Sequence, residues 1–270
     1  MAQAHLGEEG FHHRANSENG IDIFALSITS PEGSKRFSRP IGDYLTLSFT
    51  EETIGALTDV LAKKLRELLV QTHTPVRRVL IVGLGNAAVT ADAIGPETVD
   101  AIRVTGKLSD TDPCPSVFAI APGVIGKTGI ESFTLIQGAR NATDATHIIC
   151  IDALAAESTA RLYHTLQLTT SGIVPGSGVG NHRLAISQDT LGVPVIAIGV
   201  PSVVSSATLV FRTLEAVGLG ALNETIEETL RENEPYFVTP PDADRLNSLL
   251  SHVIASAIED AIQKSERTTI

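Results

Sequence analysis

Two aspartates stand where an α/β chain delivers reacting groups. In His147 to Glu157, HIICIDALAAE, the apolar residues Ile148, Ile149, Cys150 and Ile151 lead straight into Asp152. Such a run reads as a buried strand of a parallel or mixed sheet, with Asp152 at its carboxyl end, the edge where ligands bind in open sheets. The same residue could instead cap a helix made of Ala153, Leu154, Ala155 and Ala156. Earlier, the strand RVLIVGLGN from Arg78 ends in the glycine turn Gly83, Gly85 and Asn86. A helix is expected after Thr90 with Asp92 near its start, which puts Asp92 on the edge proposed for Asp152. Two carboxylates brought close cannot both ionise easily, so one keeps a proton while the other acts as a base. Such a pair can activate a water and polarise a peptide carbonyl, hydrolysing an amide without a nucleophilic side chain.

Glycine-rich loops give that edge its candidate substrate contacts. Gly85 and Asn86 belong to the first turn, Gly126 and Thr128 to APGVIGKTGIE, and Gly176, Ser177, Gly178 and Asn181 to PGSGVGN. Loops of this kind let backbone approach a substrate and expose amide donors, although a plain tight connection uses the same residues. Other chemistries fit less well. Gly83, Gly85 and Ala88 match a dinucleotide fingerprint, yet the next expected strand, Ser116 to Ala121, ends in Pro122 and Gly123 with no acid to hold a ribose. Ser177 lacks the elbow motif of a serine nucleophile, because Pro175 replaces its preceding glycine. Cys114 lies between two prolines and Cys150 in the buried strand, neither with an evident base. The zinc motifs C-x-x-C and H-E-x-x-H do not occur, and His12 and His13 read as solvated. His182, after the last glycine loop, is the one histidine placed near the proposed edge.

The elements that must position these residues follow from periodicity. Met1 to about Gly20 is polar and reads as a flexible tail over residues 1–20. Ile21 to Thr29 and Tyr44 to Phe49 read as strands. Thr50 can cap a helix on which Ile54, Leu57, Leu61, Leu65, Leu68 and Leu69 form one stripe. Further strands are expected at Leu162 to Leu168 and Pro194 to Val204, and helices at Ile130 to Arg140 and Ala207 to Val217. Asn223 to Tyr236 reads as a solvated helix or insertion. A last helix after Pro241 carries Leu246, Leu249, Leu250, Val253, Ile254 and Ile258. Strands alternating with helices predict one three-layer α/β domain over residues 21–270, around a mixed, mostly parallel central sheet.

Composition narrows the function. Thirty-one acidic residues against 20 basic give a net charge of -11, which argues against a protein built to grip nucleic acid. The sequence has only two cysteines, and no apolar run of membrane-spanning length or signal-peptide core was found in it. A reducing cytoplasm, with no membrane partner, is the expectation.

Several strings together resemble the germination (spore) protease family, whose members degrade small acid-soluble spore proteins. They are GLGN at Gly83 to Asn86, DAIGP at Asp92 to Pro96, APGVIGKTGIE, IDALAAE, TSGIVPGSGVGN from Thr170 to Asn181, and TLGVPVIAIGVPSVV from Thr190 to Val204. The likeness extends through IGDYLTL near Tyr44 and VTPPDADRL near Pro240. It implies a phosphorylase/hydrolase-like fold, an endopeptidase with Asp92 and Asp152 as the catalytic pair, and no cofactor. It further implies a zymogen with a propeptide, a homotetramer, and a place in the spore core. The N-terminal part lacks the Arg-Thr-Asp-Leu-Ala-like mature start of the family, and Val104, Thr105, Gly106 and Lys107 stand where the family has Thr-Arg-His. A second resemblance, to hydrogenase maturation endopeptidases, would make Asp92, Asp152 and His182 nickel ligands. A catalytically silent peptide-binding homologue is the non-enzyme alternative.

Overall fold

Asn19 and Gly20 both take positive φ, 52° and 79°. That backbone suits a tight hairpin, and it folds β1 (Phe11–Glu18) antiparallel onto β2 (Ile21–Ile28). The opening segment expected as a tail thus carries an edge strand from Phe11 onward. The computed structural model describes residues 10–106, 114–176, 184–219, 229–230 and 236–265.

Ser30 caps the short helix α1 (Pro31–Phe37) by accepting the Gly33 amide, and β3 (Gly42–Ser48) follows. The leucine stripe forms α2 (Ile54–Gln71), burying Leu57, Leu61, Leu65, Leu68 and Leu69. Its N-cap position is Thr53 rather than Thr50, because the Thr53 hydroxyl turns back to accept the Thr50 amide at 2.9 Å. Next come β4 (Arg78–Gly83), a single 3-10 turn at Thr90–Asp92, α3 (Ile94–Ala101), β5 (Ser116–Ile120), α4 (Ile125–Thr128) and α5 (Ser132–Thr143). The chain continues through β6 (His147–Ala156), β7 (Thr165–Thr169), α6 (Gln188–Leu191), β8 (Val195–Ser205), α7 (Ser206–Ala216), β9 (Phe237–Val238) and α8 (Ala243–Ser265). Most of the stretch 223–236, expected as a solvated helix or insertion, lies outside the described residues.

The strands form one mixed sheet in the order β1-β2-β3-β7-β8-β6-β4-β5, with β9 pairing β8. Parallel pairing is confined to β8, β6, β4 and β5, and the remaining pairs are antiparallel. Helices cover both faces of the parallel half. On one side Ile81, Ile149, Ile151 and Ile198 pack against Leu61 and Leu65 of α2 and Ile254 and Ile258 of α8. On the other, Leu80, Val82, Ile148, Cys150 and Val195 meet Ile136 of α5 and Leu191 of α6. The expected α/β class and its three layers are observed, and the burial of β6 on both faces explains its unbroken apolar run. Among the described residues no helix is long and apolar enough to cross a membrane.

β6 does not stop at Asp152. Asp152 to Ala156 continue as strand, paired with Gly199 to Val204 of β8 across a register shift between Leu154 and Ala155. This corrects the reading of Ala153 to Ala156 as a helix capped by Asp152: the partner strand offers a ladder that local propensity does not reveal.

At the opposite end of β6, His147 is buried, sharing hydrogen bonds with Thr72 Oγ1 at 2.9 Å and Thr146 Oγ1 at 3.2 Å. Burial pulls its pKa down from 6.5 to about 4. The unfolded chain takes up this proton first, so the contribution to stability is complete above 6.5 and is lost as the pH falls toward about 4. The total loss is on the order of 3 kcal/mol. Melting temperatures recorded across that window should fall for the native sequence and fall less steeply for His147→Leu. Equal slopes would remove His147 as the cause.

Candidate active site

β4 ends at Gly83, opposite Ile151 of β6. Just beyond it the Leu84 amide donates to the Ile151 carbonyl at 2.8 Å, so the turn begins hooked to the residue that precedes Asp152. A Cβ on Gly83 would lie 2.2 Å from the Gly95 carbonyl oxygen, and one on Gly95 2.2 Å from that of Leu84. Only glycines let the first turn of α3 sit this close to the strand end. At Gly85, with φ +112°, a Cβ would meet Asp92, 2.1 Å from its carbonyl oxygen and 2.8 Å from Oδ1. The Asn86 amide then donates to Asp92 Oδ2 at 2.8 Å and to the Asp92 carbonyl at 3.1 Å.

A short piece of backbone therefore links β6, just before Asp152, to Asp92. Leu84 is tied to the strand residue before Asp152, and Asn86 is tied to Asp92. The Asp92 carboxylate takes the turn amide that a bound phosphate would need, which leaves the dinucleotide reading of Gly83, Gly85 and Ala88 without its anion site. Asp152 is 8% exposed, and its Oδ1 accepts the Ala153 amide at 3.0 Å. Cys150 lies two residues earlier on the same face. Burial, and next the Asp152 charge, push the Cys150 thiol far above its ordinary pKa, so it is no nucleophile.

The other named residues are distributed as follows. β5 lies beside β4 in parallel, so its outgoing loop with α4 emerges at the edge of Gly83 and Asp92. In that loop Thr128 Oγ1 donates to the Val124 and Ile130 carbonyls, at 3.3 and 3.0 Å, while Gly126 has open space around it. β7 runs antiparallel to β8 and leaves the sheet in the other direction at Thr169. Its loop is pinned by a bridge between Ile173 and Ile186, both packed on the Cys150 face, and Gly176 follows at φ +73°. Ser177, Gly178, Asn181 and His182 lie outside the described residues. His13, on β1, stacks with Phe11 and Phe24. Among the described residues no group of three His, Cys, Asp or Glu side chains is arranged to hold a metal ion.

Sequence reasoning missed the partners of the turn that carries Asp92. Ser202 Oγ donates to the Ala91 carbonyl at 2.5 Å, Asn247 Nδ2 to the Thr90 carbonyl at 2.6 Å, and Thr90 Oγ1 to Asp244 Oδ1 at 2.7 Å. A signal existed for Asn247: it sits on the stripe of Ala243, Leu250 and Ile254, a polar residue at a core spacing.

The fold defines an α/β protein in which Asp92 follows the end of β4 and Asp152 lies within β6, paired with β8. Residues 2–232 match the family described as germination protease. A germination protease of Clostridium perfringens is 36% identical over 281 residues, covering 91% of this chain and 86% of the relative. Those of Caldanaerobacter subterraneus, 36% identical over 92% of this chain and 79% of the relative, and Priestia megaterium, 39% over 76% and 58%, agree. The chain belongs to the germination protease family. Among solved structures, a NiFe hydrogenase maturation protease from Thermococcus kodakarensis aligns over 69% of this chain and 98% of its own, with 17% identity and a TM-score of 0.35, a likeness too slight to bear on function.

Proposed function

We propose that this protein is an endopeptidase of spore germination that cleaves small acid-soluble spore proteins, with Asp92 and Asp152 as its catalytic pair. The observation that supports this most is the Leu84 to Asn86 backbone, which bonds to Ile151, the residue before Asp152, and to Asp92 itself through the Leu84–Ile151 and Asn86–Asp92 hydrogen bonds. One carboxylate removes a proton from a water whose oxygen attacks the scissile carbonyl carbon. The other carboxyl, protonated, donates a hydrogen bond to the carbonyl oxygen. The tetrahedral adduct collapses when a proton passes to the leaving nitrogen and the C–N bond breaks. Gly85, Asn86, Gly126 and Thr128 would border the substrate on the β4 and β5 side, and a substrate-binding role for Gly176, Ser177, Gly178 and Asn181 belongs to the same reading. A homotetramer in the spore core, made as a zymogen, is part of the same reading.

The test is incubation of the purified protein with a small acid-soluble spore protein and mapping of the products by mass spectrometry, with and without a chelator. A discrete cut indifferent to chelation is expected. Cleavage abolished by chelator and restored by nickel would replace the two-aspartate mechanism with a metal-dependent one. Binding without any cut would turn the assignment into that of a peptide-binding homologue.

A further inference from the structure

Asp92 rides on a turn that is held largely from outside. The Thr90–Asp92 segment is one 3-10 turn, closed by an Asp92 amide bond to the Val89 carbonyl at 2.8 Å and a long Ala93 bond to the Thr90 carbonyl at 3.3 Å. Its three successive carbonyls also accept hydrogen bonds from three different parts of the chain. Asn247 of α8 holds Thr90, Ser202 of β8 holds Ala91, and the Asn86 amide holds Asp92. Asn247 and Ser202 are both fully buried, and the Ser202 carbonyl in turn accepts the Thr239 hydroxyl at 2.8 Å.

Asn247 is costly for stability alone. Its Nδ2 makes the bond to Thr90, but its Oδ1 is buried and has no hydrogen-bond partner among the described residues. A buried acceptor left unpaired loses its water and gains nothing in return. Leucine at the same place on the stripe would match the volume and carry no such penalty. A polar residue kept at that cost, with its one bond spent on the turn that bears Asp92, is the pattern of a group that serves a site rather than the core.

We infer that Asn247, assisted by Ser202, is a positioning residue for Asp92: it fixes the Thr90 carbonyl, and through the turn it aims the Asp92 carboxylate. This rests on the two-aspartate reading. The experiment compares Asn247→Leu and Ser202→Ala with the native protein by three readouts: kcat and KM on a spore-protein substrate, melting temperature, and hydrogen exchange of the Asn86 amide by NMR. For Asn247→Leu the melting temperature should hold or rise while kcat drops ~10–100-fold with KM changed less than about 3-fold, as misplacement of a reacting group demands. The Asn86 amide should exchange at least ~10-fold faster, because its acceptor has come loose. Ser202→Ala should move the same readouts in the same direction by less. Native kcat with native Asn86 exchange in Asn247→Leu overturns the inference, as does a kcat loss that only tracks a lower melting temperature. Asp92→Asn, run alongside, separates the two ideas: full cleavage by that variant fails the two-aspartate reading itself, whereas its inactivity beside a fully active Asn247→Leu fails only this one. The amide exchange reports on the turn whether or not the chosen substrate is cut.

Discussion

Asp152→Asn is expected to lower the cleavage rate by about 10³-fold or more and to leave the fold intact. Asparagine keeps the side-chain oxygen that accepts the Ala153 amide at 3.0 Å, and it keeps the shape of the native side chain. What it removes is the ability to take and return a proton, the step for which positioned acids and bases contribute about 10²–10⁴-fold. Asp152 is only 8% exposed, so removal of its charge should hold or raise stability. A melting temperature within about 3 °C of the native value is the expected companion result. Asp92→Asn should behave alike, since its amide oxygen can still receive the Asn86 amide. Cleavage by Asp152→Asn above about one tenth of the native rate would take that residue out of the chemistry.

Gly85→Ala should damage both stability and turnover. The new methyl group would lie 2.1 Å from the Asp92 carbonyl oxygen and 2.8 Å from its carboxylate, at a φ of +112° that L side chains seldom adopt. Backbone strain and forced displacement each cost about 1–3 kcal/mol, and Asp92 is the group displaced. A loss of about 2–5 kcal/mol in chemical denaturation and a fall in kcat of ~10²-fold are expected. Gly126→Ala is the matching control for the fold, because nothing lies within 4 Å of its Cβ position. It should change stability by less than about 1 kcal/mol, so any loss of cleavage there would report on substrate contact. If Gly85→Ala kept native stability and turnover, the close packing of the turn on Asp92 would have no functional weight.

The parts of this molecule legible in its sequence are those where one residue's environment is set locally. The leucines of α2 and the apolar runs of β4, β6 and β8 face helices or neighbouring strands on both sides, and their spacing says so. Leu249, counted on the stripe of the last helix, is 38% exposed because the buried face is centred on Asn247, Leu250 and Ile254. β1 was illegible by hydropathy, since an edge strand can be polar on nearly every residue, although Asn19-Gly20 was a hairpin signal in plain sight. The continuation of β6 past Asp152 depends on β8, and nothing in IDALAAE announces a partner more than forty residues away. Asp92 could be proposed from the strand-then-turn pattern, and Asp152 from the apolar run that precedes it. The hands that hold Asp92, Ser202 and Asn247, lie 111 and 157 residues from their acceptors and carry no motif.

That last separation has a consequence for synthesis. The ribosome releases Thr90 and Asp92 first, Asp244 and Asn247, which bond to Thr90, 154 and 157 residues after it, and Glu259, which accepts the Arg103 amide, later still. A nascent chain therefore displays its two aspartates with the first one's turn unheld. The bonds from α8 to this turn can form only well after Asp92 itself has been made, so the turn takes its final shape when α8 docks on it.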